Sequence, residues 1–150
     1  MNELRKLRFE DLGEAVWEAR SLLESGYTRQ GQWSLGQICQ HLVLVQDPSI
    51  DGYPSWMSLF APLRPLMRRW LLPKLLADNS PPGIRTSSTF MPAQNAEDAL
   101  EVTRFEQSVK RLKARSEPFF AQPAFGKLSN TRILQIHSAH AAHHLRFLEP

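Results

Sequence analysis

The chain has 150 residues, of which 42% are hydrophobic and 22% are charged, and its net charge is +3 at pH 7. These values predict one globular domain covering residues 1–150, and the lack of a basic run interleaved with aromatics argues against a nucleic-acid partner. The single cysteine, Cys39, excludes an intrachain disulfide. Together with the absence of an apolar leader and of a membrane-spanning run, it favours a cytoplasmic protein.

Two amphipathic helices are predicted in the first third of the chain. The first covers about residues 9–25, where apolar residues recur every three or four positions. In the second, Ser34 is a favourable N-cap and Gln37 follows three residues later, which is the capping-box pattern. This helix is predicted to end near residue 47, because Pro48 follows. His41 lies at the edge of its apolar stripe and should point into or beside the core.

The segment from residue 48 to residue 92 is rich in proline, with 8 of the 11 prolines of the chain. A helix is predicted from near Pro65 to about Asp78, with a kink at Pro73. Apolar and basic residues are mixed along the segment. We therefore expect a proline-bent excursion that lies over one face of the domain. The alternative is a docking surface for a membrane or a partner helix.

Two more helices are predicted in the second half. One follows Asn95, its predicted N-cap, and runs to about residue 116. The last runs from about Asn130 to Leu148, and no strand pattern competes with these helices. Four long amphipathic helices, with a proline-rich and partly helical insert between the second and the third, predict an all-α four-helix bundle.

Four of the five histidines fall on the last predicted helix. His140 and His144 are four residues apart, and with His137 they share an arc of about 60° on the core-facing side. An imidazole buried without partners loses roughly 1–3 kcal/mol. A divalent metal ion held by His140, His144 and a facing His41 explains this pattern best, and three neutral donors leave open positions of the catalytic kind. His137 is a candidate substitute ligand or neighbour of the ligands, and His143 should lie on a flank. Satisfied core histidines remain the alternative.

These motifs resemble those of the DinB/YfiT-like superfamily, a group of four-helix bundles that bind a divalent metal. Residues 33–42, WSLGQICQHL, match its Trp-Ser/Thr-x-x-x-x-x-x-His-Leu motif, and residues 140–144, HAAHH, match its His-x-x-x-His motif. The resemblance implies that His41, His140 and His144 are the metal ligands. AFGKLS and HAAHHLRFL are similar to an uncharacterised branch of the superfamily that has a domain of unknown function.

The resemblance also implies a metal-dependent enzyme that acts on a small molecule. Characterised relatives include isomerases and S-transferases that use low-molecular-weight thiols, so a thiol-dependent transferase, an isomerase or a hydrolase is expected. Zn, Ni, Fe and Mn all accept imidazole, which leaves the metal open. Gln37, one turn before His41, and residues 125–127 are candidate pocket residues, and no catalytic residue is assigned.

No macromolecular partner is assigned. A membrane partner is not expected, and a homodimer is left open. Two other classes of function also remain. One is a non-catalytic helical module that binds a metal or a ligand. The other is a bundle that docks to a partner or a membrane through the proline-rich segment.

Overall fold

The computed structural model describes residues 3–77 and 87–150, and it is mostly helical. In the described residues the α-helices are α1 Leu12–Ser25, α2 Leu35–Gln46, α3 Pro48–Asp51, α4 Arg64–Leu76, α5 Asp98–Ala114 and α6 Asn130–Leu145. Short 3₁₀ helices cover Ser55–Leu63 and Ser88–Phe90, and two-residue strands β1 Thr28–Arg29 and β2 Leu148–Glu149 pair antiparallel. Within this part of the chain, no helix combines the length and the apolar character needed to cross a membrane.

Helices α1, α2, α5 and α6 enclose one hydrophobic core. The contact between α2 and α5 is the most extensive, and α1 and α6 pack against both the core and each other. Burying a large apolar side chain contributes roughly 1.5–3 kcal/mol, so this core supplies most of the favourable free energy of folding. Its largest fully buried side chains include Leu12, Leu22, Leu35, Ile38, Leu42, Phe105, Leu112, Ile133 and Leu145.

Side-chain caps set the starts of the first two long helices. α1 begins at Leu12, later than the predicted start near Phe9, because the Asp11 carboxylate accepts a hydrogen bond from a backbone N–H of the first turn. The predicted capping box of α2 is confirmed. Ser34 Oγ accepts from Gln37 N at 3.2 Å, and Gln37 Oε1 accepts from Ser34 N at 3.0 Å.

The start of α5 differs from the prediction. The helix begins at Asp98 with Glu97 at the cap position, so the prediction of Asn95 as N-cap is wrong. The Asp98 carboxylate instead binds the first turn of α2 and Tyr27, which lies between α1 and α2. It accepts hydrogen bonds from Gly36 N and from Tyr27 Oη, each at 2.7 Å. A carboxylate at a helix N-terminus is also favoured by the helix dipole, so this contact fastens α5 beside the start of α2.

The end of α6 also differs from the prediction. The helix stops at Leu145, three residues before the predicted end at Leu148. Leu148 is fully buried and pairs in β2 with Arg29 of β1. Because a ladder of two residues is too short to show an alternating pattern, the sequence gives no signal for it.

The described part of the chain between α2 and α5 is partly helical. α4 begins at Arg64, with Pro65 in its first turn as predicted, and Pro73 lies inside the helix. The predicted end at Asp78 lies outside the described residues. α4 packs against α6 through a second, smaller hydrophobic cluster of buried residues, formed by Leu72, Phe125 and Ile136.

Candidate metal centre

Three histidines from two helices converge beside the main core. His41 comes from α2, and His140 and His144 lie one turn apart on α6. His140 Nε2 is 3.2 Å from His41 Nε2 and 3.0 Å from His144 Nε2. One ring nitrogen of each histidine lies within 4.8 Å of the other two. The structure thus brings together the three residues that the sequence predicts as ligands, and ligation itself stays a prediction.

The spacing of these nitrogens fits one metal ion. Two imidazole nitrogens at about 2.0–2.1 Å from Zn²⁺ are about 3.3–3.4 Å apart at a tetrahedral angle and about 2.8–3.0 Å apart at a right angle. The observed separations of 3.0 and 3.2 Å fall within these limits. No described carboxylate or thiol joins the group. Three imidazoles therefore form the whole donor set among the described residues, and such a set can hold a divalent ion with positions left open.

A backbone carbonyl fixes the tautomer of His41. Its Nδ1 lies 2.8 Å from the carbonyl oxygen of Phe90, in the short 3₁₀ helix that precedes α5. A carbonyl oxygen can only accept, so Nδ1 carries the proton and Nε2 presents a lone pair to the other two histidines. Metal-binding histidines commonly donate their second ring N–H to such an acceptor. The sequence gives no signal for this contact, because every residue has a carbonyl group.

Two glutamines attach the turn that carries Phe90 to α2. Ala93 N donates to Gln40 Oε1 at 2.6 Å, and Gln37 Nε2 donates to the carbonyl oxygen of Ala93 at 3.3 Å. Among the described residues, no hydrogen bond joins Gln37 to a histidine. The sequence predicts Gln37 near the site. Its connection to His41 is indirect, because it bonds to Ala93, which follows Phe90, and to Ser34 in the cap of α2.

Trp33 forms an aromatic wall on one side of the cluster. Its ring stacks on His144 with the centroids 5.5 Å apart and an interplanar angle of 23°. It also contacts the His41 ring at a centroid distance of 5.0 Å. The tryptophan that opens the predicted motif therefore restricts the rotation of two imidazoles as well as packing against the core.

Burial keeps the three imidazoles neutral. His41 is 2% exposed, and His140 and His144 are partly buried. Burial lowers the pKa of His41, and burial together with the neighbouring histidines holds the pKa values of His140 and His144 well below the usual range. Neutral imidazole is the form that has a lone pair to share, so the cluster is in the protonation state that a cation requires at pH 7.

Without a cation the hydrogen bonding of the cluster is incomplete. His140 Nε2 faces the Nε2 atoms of both His41 and His144 at hydrogen-bond distance. A single N–H on His140 can point at only one of these two acceptors, and the lone pair of the other then has no donor. A metal ion would satisfy all three lone pairs at once, and the donor set therefore fits this group.

His137 uses a different partner although it lies on the same face of α6. Its Nε2 is 2.8 Å from Ser49 Oγ on α3, and that hydroxyl is 3.0 Å from Tyr53 Oη. The side chain is 3% exposed, and burial lowers its pKa to about 4. His137 is a satisfied buried histidine next to the cluster, and the candidate role as a substitute ligand has no geometric support.

His143 lies on the flank of the cluster, as the helical phase predicts. Its ring contacts the His144 ring at a centroid distance of 5.0 Å and the Phe147 ring at 6.0 Å. Within residues 3–77 and 87–150, its buried Nδ1 has no hydrogen-bond partner. Burial and the positive charge of Arg146 lower its pKa to about 4. It lines a cavity of about 520 Å³, whose other lining residues include Ala139 and Arg146.

Three other residues that the sequence singles out, Phe125, Lys127 and Cys39, lie away from the three histidines. Phe125 is buried in the small cluster under α4, and the carbonyl oxygen of Lys127 accepts a hydrogen bond from Arg68. Cys39 is fully buried, and burial raises the pKa of its thiol.

The fold and the site define a mostly helical protein with a buried three-histidine group that can hold a metal ion. The chain belongs to the family described as "Protein of unknown function (DUF1569)", whose model matches residues 1–150. No curated protein and no solved structure matches the chain.

Proposed function

We propose that His41, His140 and His144 bind one divalent metal ion and that the protein is a metal-dependent enzyme acting on a small molecule. The observation that carries the proposal is the convergence of three Nε2 atoms, with the tautomer of His41 set by the Phe90 carbonyl. Zn, Ni, Fe and Mn all suit this donor set, and affinity order alone does not select one.

The architecture is proposed to be a DinB/YfiT-like four-helix bundle formed by α1, α2, α5 and α6. Two features support this assignment. His41 lies on the second of these helices and the HAAHH motif on the last, as in that superfamily. The proline-rich segment falls between α2 and α5, which makes it an insert between the second and third helices of the bundle.

The chemistry follows from a neutral donor set with open positions. A divalent ion held there supplies a Lewis acid, which lowers the pKa of a thiol or water or polarises a substrate oxygen. His140 and His144 keep part of their surface exposed, so the substrate approaches from their side of the cluster. A low-molecular-weight thiol is the co-substrate that the resemblance implies.

The cavity beside His143 is the space that we propose for the small-molecule substrate. It adjoins the cluster through the edge-to-face contact of the His143 and His144 rings. Its lining contains four cationic residues and Glu3, and ion pairs join three of the cations to Glu18, Glu3 and Glu10, so most of the positive charge is already balanced. The cationic lining residues are Arg5, Lys6, Arg8 and Arg146.

Elemental analysis after mild dialysis tests the metal site. The wild type should carry close to one divalent ion per chain, and His41→Ala, His140→Ala and His144→Ala should each lose most of it. His143→Ala is the matched control, because the residue contacts His144 but is not one of the three histidines of the group, and it should retain the ion. A ligand variant with full occupancy and unchanged affinity would refute the triad. A wild type that takes up neither Zn nor Ni on titration would support the alternative of satisfied core histidines.

An activity screen separates an enzyme from a binding module. Metal-loaded wild type and His41→Ala should be compared for transfer, isomerisation and hydrolysis of small molecules with and without a thiol. We expect at least one turnover reaction that needs both the metal and His41. Full metal occupancy with no such reaction would favour the non-catalytic metal-binding module.

A further inference from the structure

Large apolar side chains are exposed along the segment Ser55–Ala77, which comprises the first 3₁₀ helix and α4. Leu59 is 79% exposed and Trp70 is 60% exposed. Single exposed apolar residues are ordinary on protein surfaces, but a group of them in one short segment marks an interaction site. The exposed group consists of Trp56, Leu59, Phe60, Leu63, Leu66 and Trp70.

Only one side of α4 is used for packing against the rest of the protein. Leu72 is buried against Phe125 and Ile136. At about 100° per residue, Leu66 and Trp70 lie on the opposite side of the helix. Apolar and basic residues are mixed along the sequence of the segment. Around the axis of α4, one face packs against the protein and the other is exposed.

The charges on this segment have one sign. Residues 55–77 contain four cationic side chains and no aspartate or glutamate. Arg64 and Arg68 donate hydrogen bonds to the carbonyl oxygens of Pro123 and Lys127, which holds the segment against the loop before α6. The other two cations, Arg69 and Lys74, are exposed, and among the residues that the structure describes neither pairs with a carboxylate.

Arg69 and Lys74 flank the exposed apolar face of α4. By the helical period, Arg69 and Lys74 lie on either side of Leu66 and Trp70, within an arc of about 140°. The Arg69 guanidinium also lies 5.9 Å from the centre of the Trp70 ring. A central apolar stripe between cations is the pattern of helices that lie in the plane of a membrane interface.

We propose that the face formed by residues 55–77 binds the surface of a bilayer that contains anionic phospholipid. The exposed tryptophans would occupy the headgroup level, where their rings are favoured, and the cations would meet the phosphates. Anionic headgroups would pair with both Arg69 and Lys74. A protein partner would have to present a complementary apolar groove with acidic residues on both sides, which is a more specific requirement.

Vesicle co-sedimentation of the full chain tests the proposal. The protein should sediment with vesicles of phosphatidylcholine and phosphatidylglycerol, and much less with phosphatidylcholine alone. Binding should weaken as the salt concentration rises, because screening reduces the electrostatic attraction. Failure of the wild type to bind the anionic vesicles, or equal binding to both kinds, would overturn the proposal.

Two variants separate the apolar contribution from the electrostatic one. Arg69→Gln with Lys74→Gln should weaken binding roughly thirty-fold, since each cation near an anionic surface contributes roughly 1 kcal/mol. Leu66→Ser with Trp70→Ser should weaken it at least about ten-fold through lost apolar insertion. These side chains are exposed, so circular dichroism should show an unchanged fold.

The matched control for charge is Lys110→Gln with Lys113→Gln on α5, which contacts α1 and α2 and lies away from α4. This control should bind the anionic vesicles nearly as well as the wild type. Equal loss in the control and in the α4 charge variant would show attraction by net charge alone and would overturn the proposal. Sedimentation velocity provides a second measurement. Self-association that Leu66→Ser with Trp70→Ser abolishes, with no vesicle binding by the wild type, would assign the face to a second copy of the chain.

Discussion

His137 should make the unfolding free energy of the protein fall between pH 7 and pH 5, and His137→Gln should remove this part of the pH dependence. The imidazole is 3% exposed and its Nε2 lies 2.8 Å from Ser49 Oγ. A glutamine amide reaches about as far as Nε2 and can bond to the same hydroxyl, but it does not titrate. The variant therefore keeps the contact and loses the proton equilibrium.

The sign and the size follow from the two pKa values of His137. The pKa is about 4 in the folded protein and 6.5 when the side chain is in water. Between these values the unfolded chain binds a proton that the folded chain does not, so stability is fully present above pH 6.5 and is lost as the pH falls toward 4. Integration from pH 7 to pH 5 gives a loss of about 2 kcal/mol from this residue.

Urea denaturation at both pH values, with a chelator present, measures this effect without a contribution from metal binding. The wild type should lose about 2 kcal/mol more than His137→Gln between pH 7 and pH 5. Ser49→Ala is the matched control, because it removes the hydrogen bond but leaves the titrating group. It should be less stable at both pH values and keep most of the pH dependence. An unchanged pH dependence in His137→Gln would refute the reasoning.

The remaining predictions concern α2. A methyl group at Gly36 would lie 2.9 Å from the carbonyl oxygen of Ala96 and 2.9 Å from Asp98 Oδ1, so Gly36→Ala should cost roughly 1–3 kcal/mol in urea denaturation. Alanine is normally the better helix former, so an unchanged or higher stability would contradict the close approach of α2 and α5. The Cys39 thiol is fully buried with a raised pKa, and it should react with a thiol reagent only after unfolding. Fast stoichiometric reaction of the native protein would contradict its burial.

The parts of the structure that sequence reasoning predicts are those set by local contacts. The capping box of Ser34 and Gln37 depends on four consecutive residues, so its pattern is complete in the sequence. The pairing of His140 with His144 depends only on the helical period. The meeting of these two with His41, 99 residues from His140, could be predicted because His41 lies at the edge of an apolar stripe and because its motif resembles that of a known family.

The parts that the sequence does not predict depend on tertiary contacts. Asn95 is a better N-cap by type than Glu97, but the structure positions α5 through the bonds from Asp98 to Gly36 and Tyr27. The acceptor that orients His41 is a backbone carbonyl, which has no residue signature. Local propensity contains no information about either contact, because each needs a second segment brought close by the fold.

The division of the buried side chains into two clusters implies two levels of local stability. The small cluster of Leu72, Phe125 and Ile136 holds α4, whereas the large core holds α1, α2, α5 and α6. Opening of α4 would expose the small cluster and leave the large core buried. The backbone amides of α4 should therefore exchange hydrogen through sub-global opening, at a lower free energy than the amides of α2 and α5. The turn that carries Phe90 is bonded to α2 rather than to α4. We therefore expect α4 to open without a change in the tautomer of His41, so that surface attachment and the histidine cluster should respond separately to perturbation.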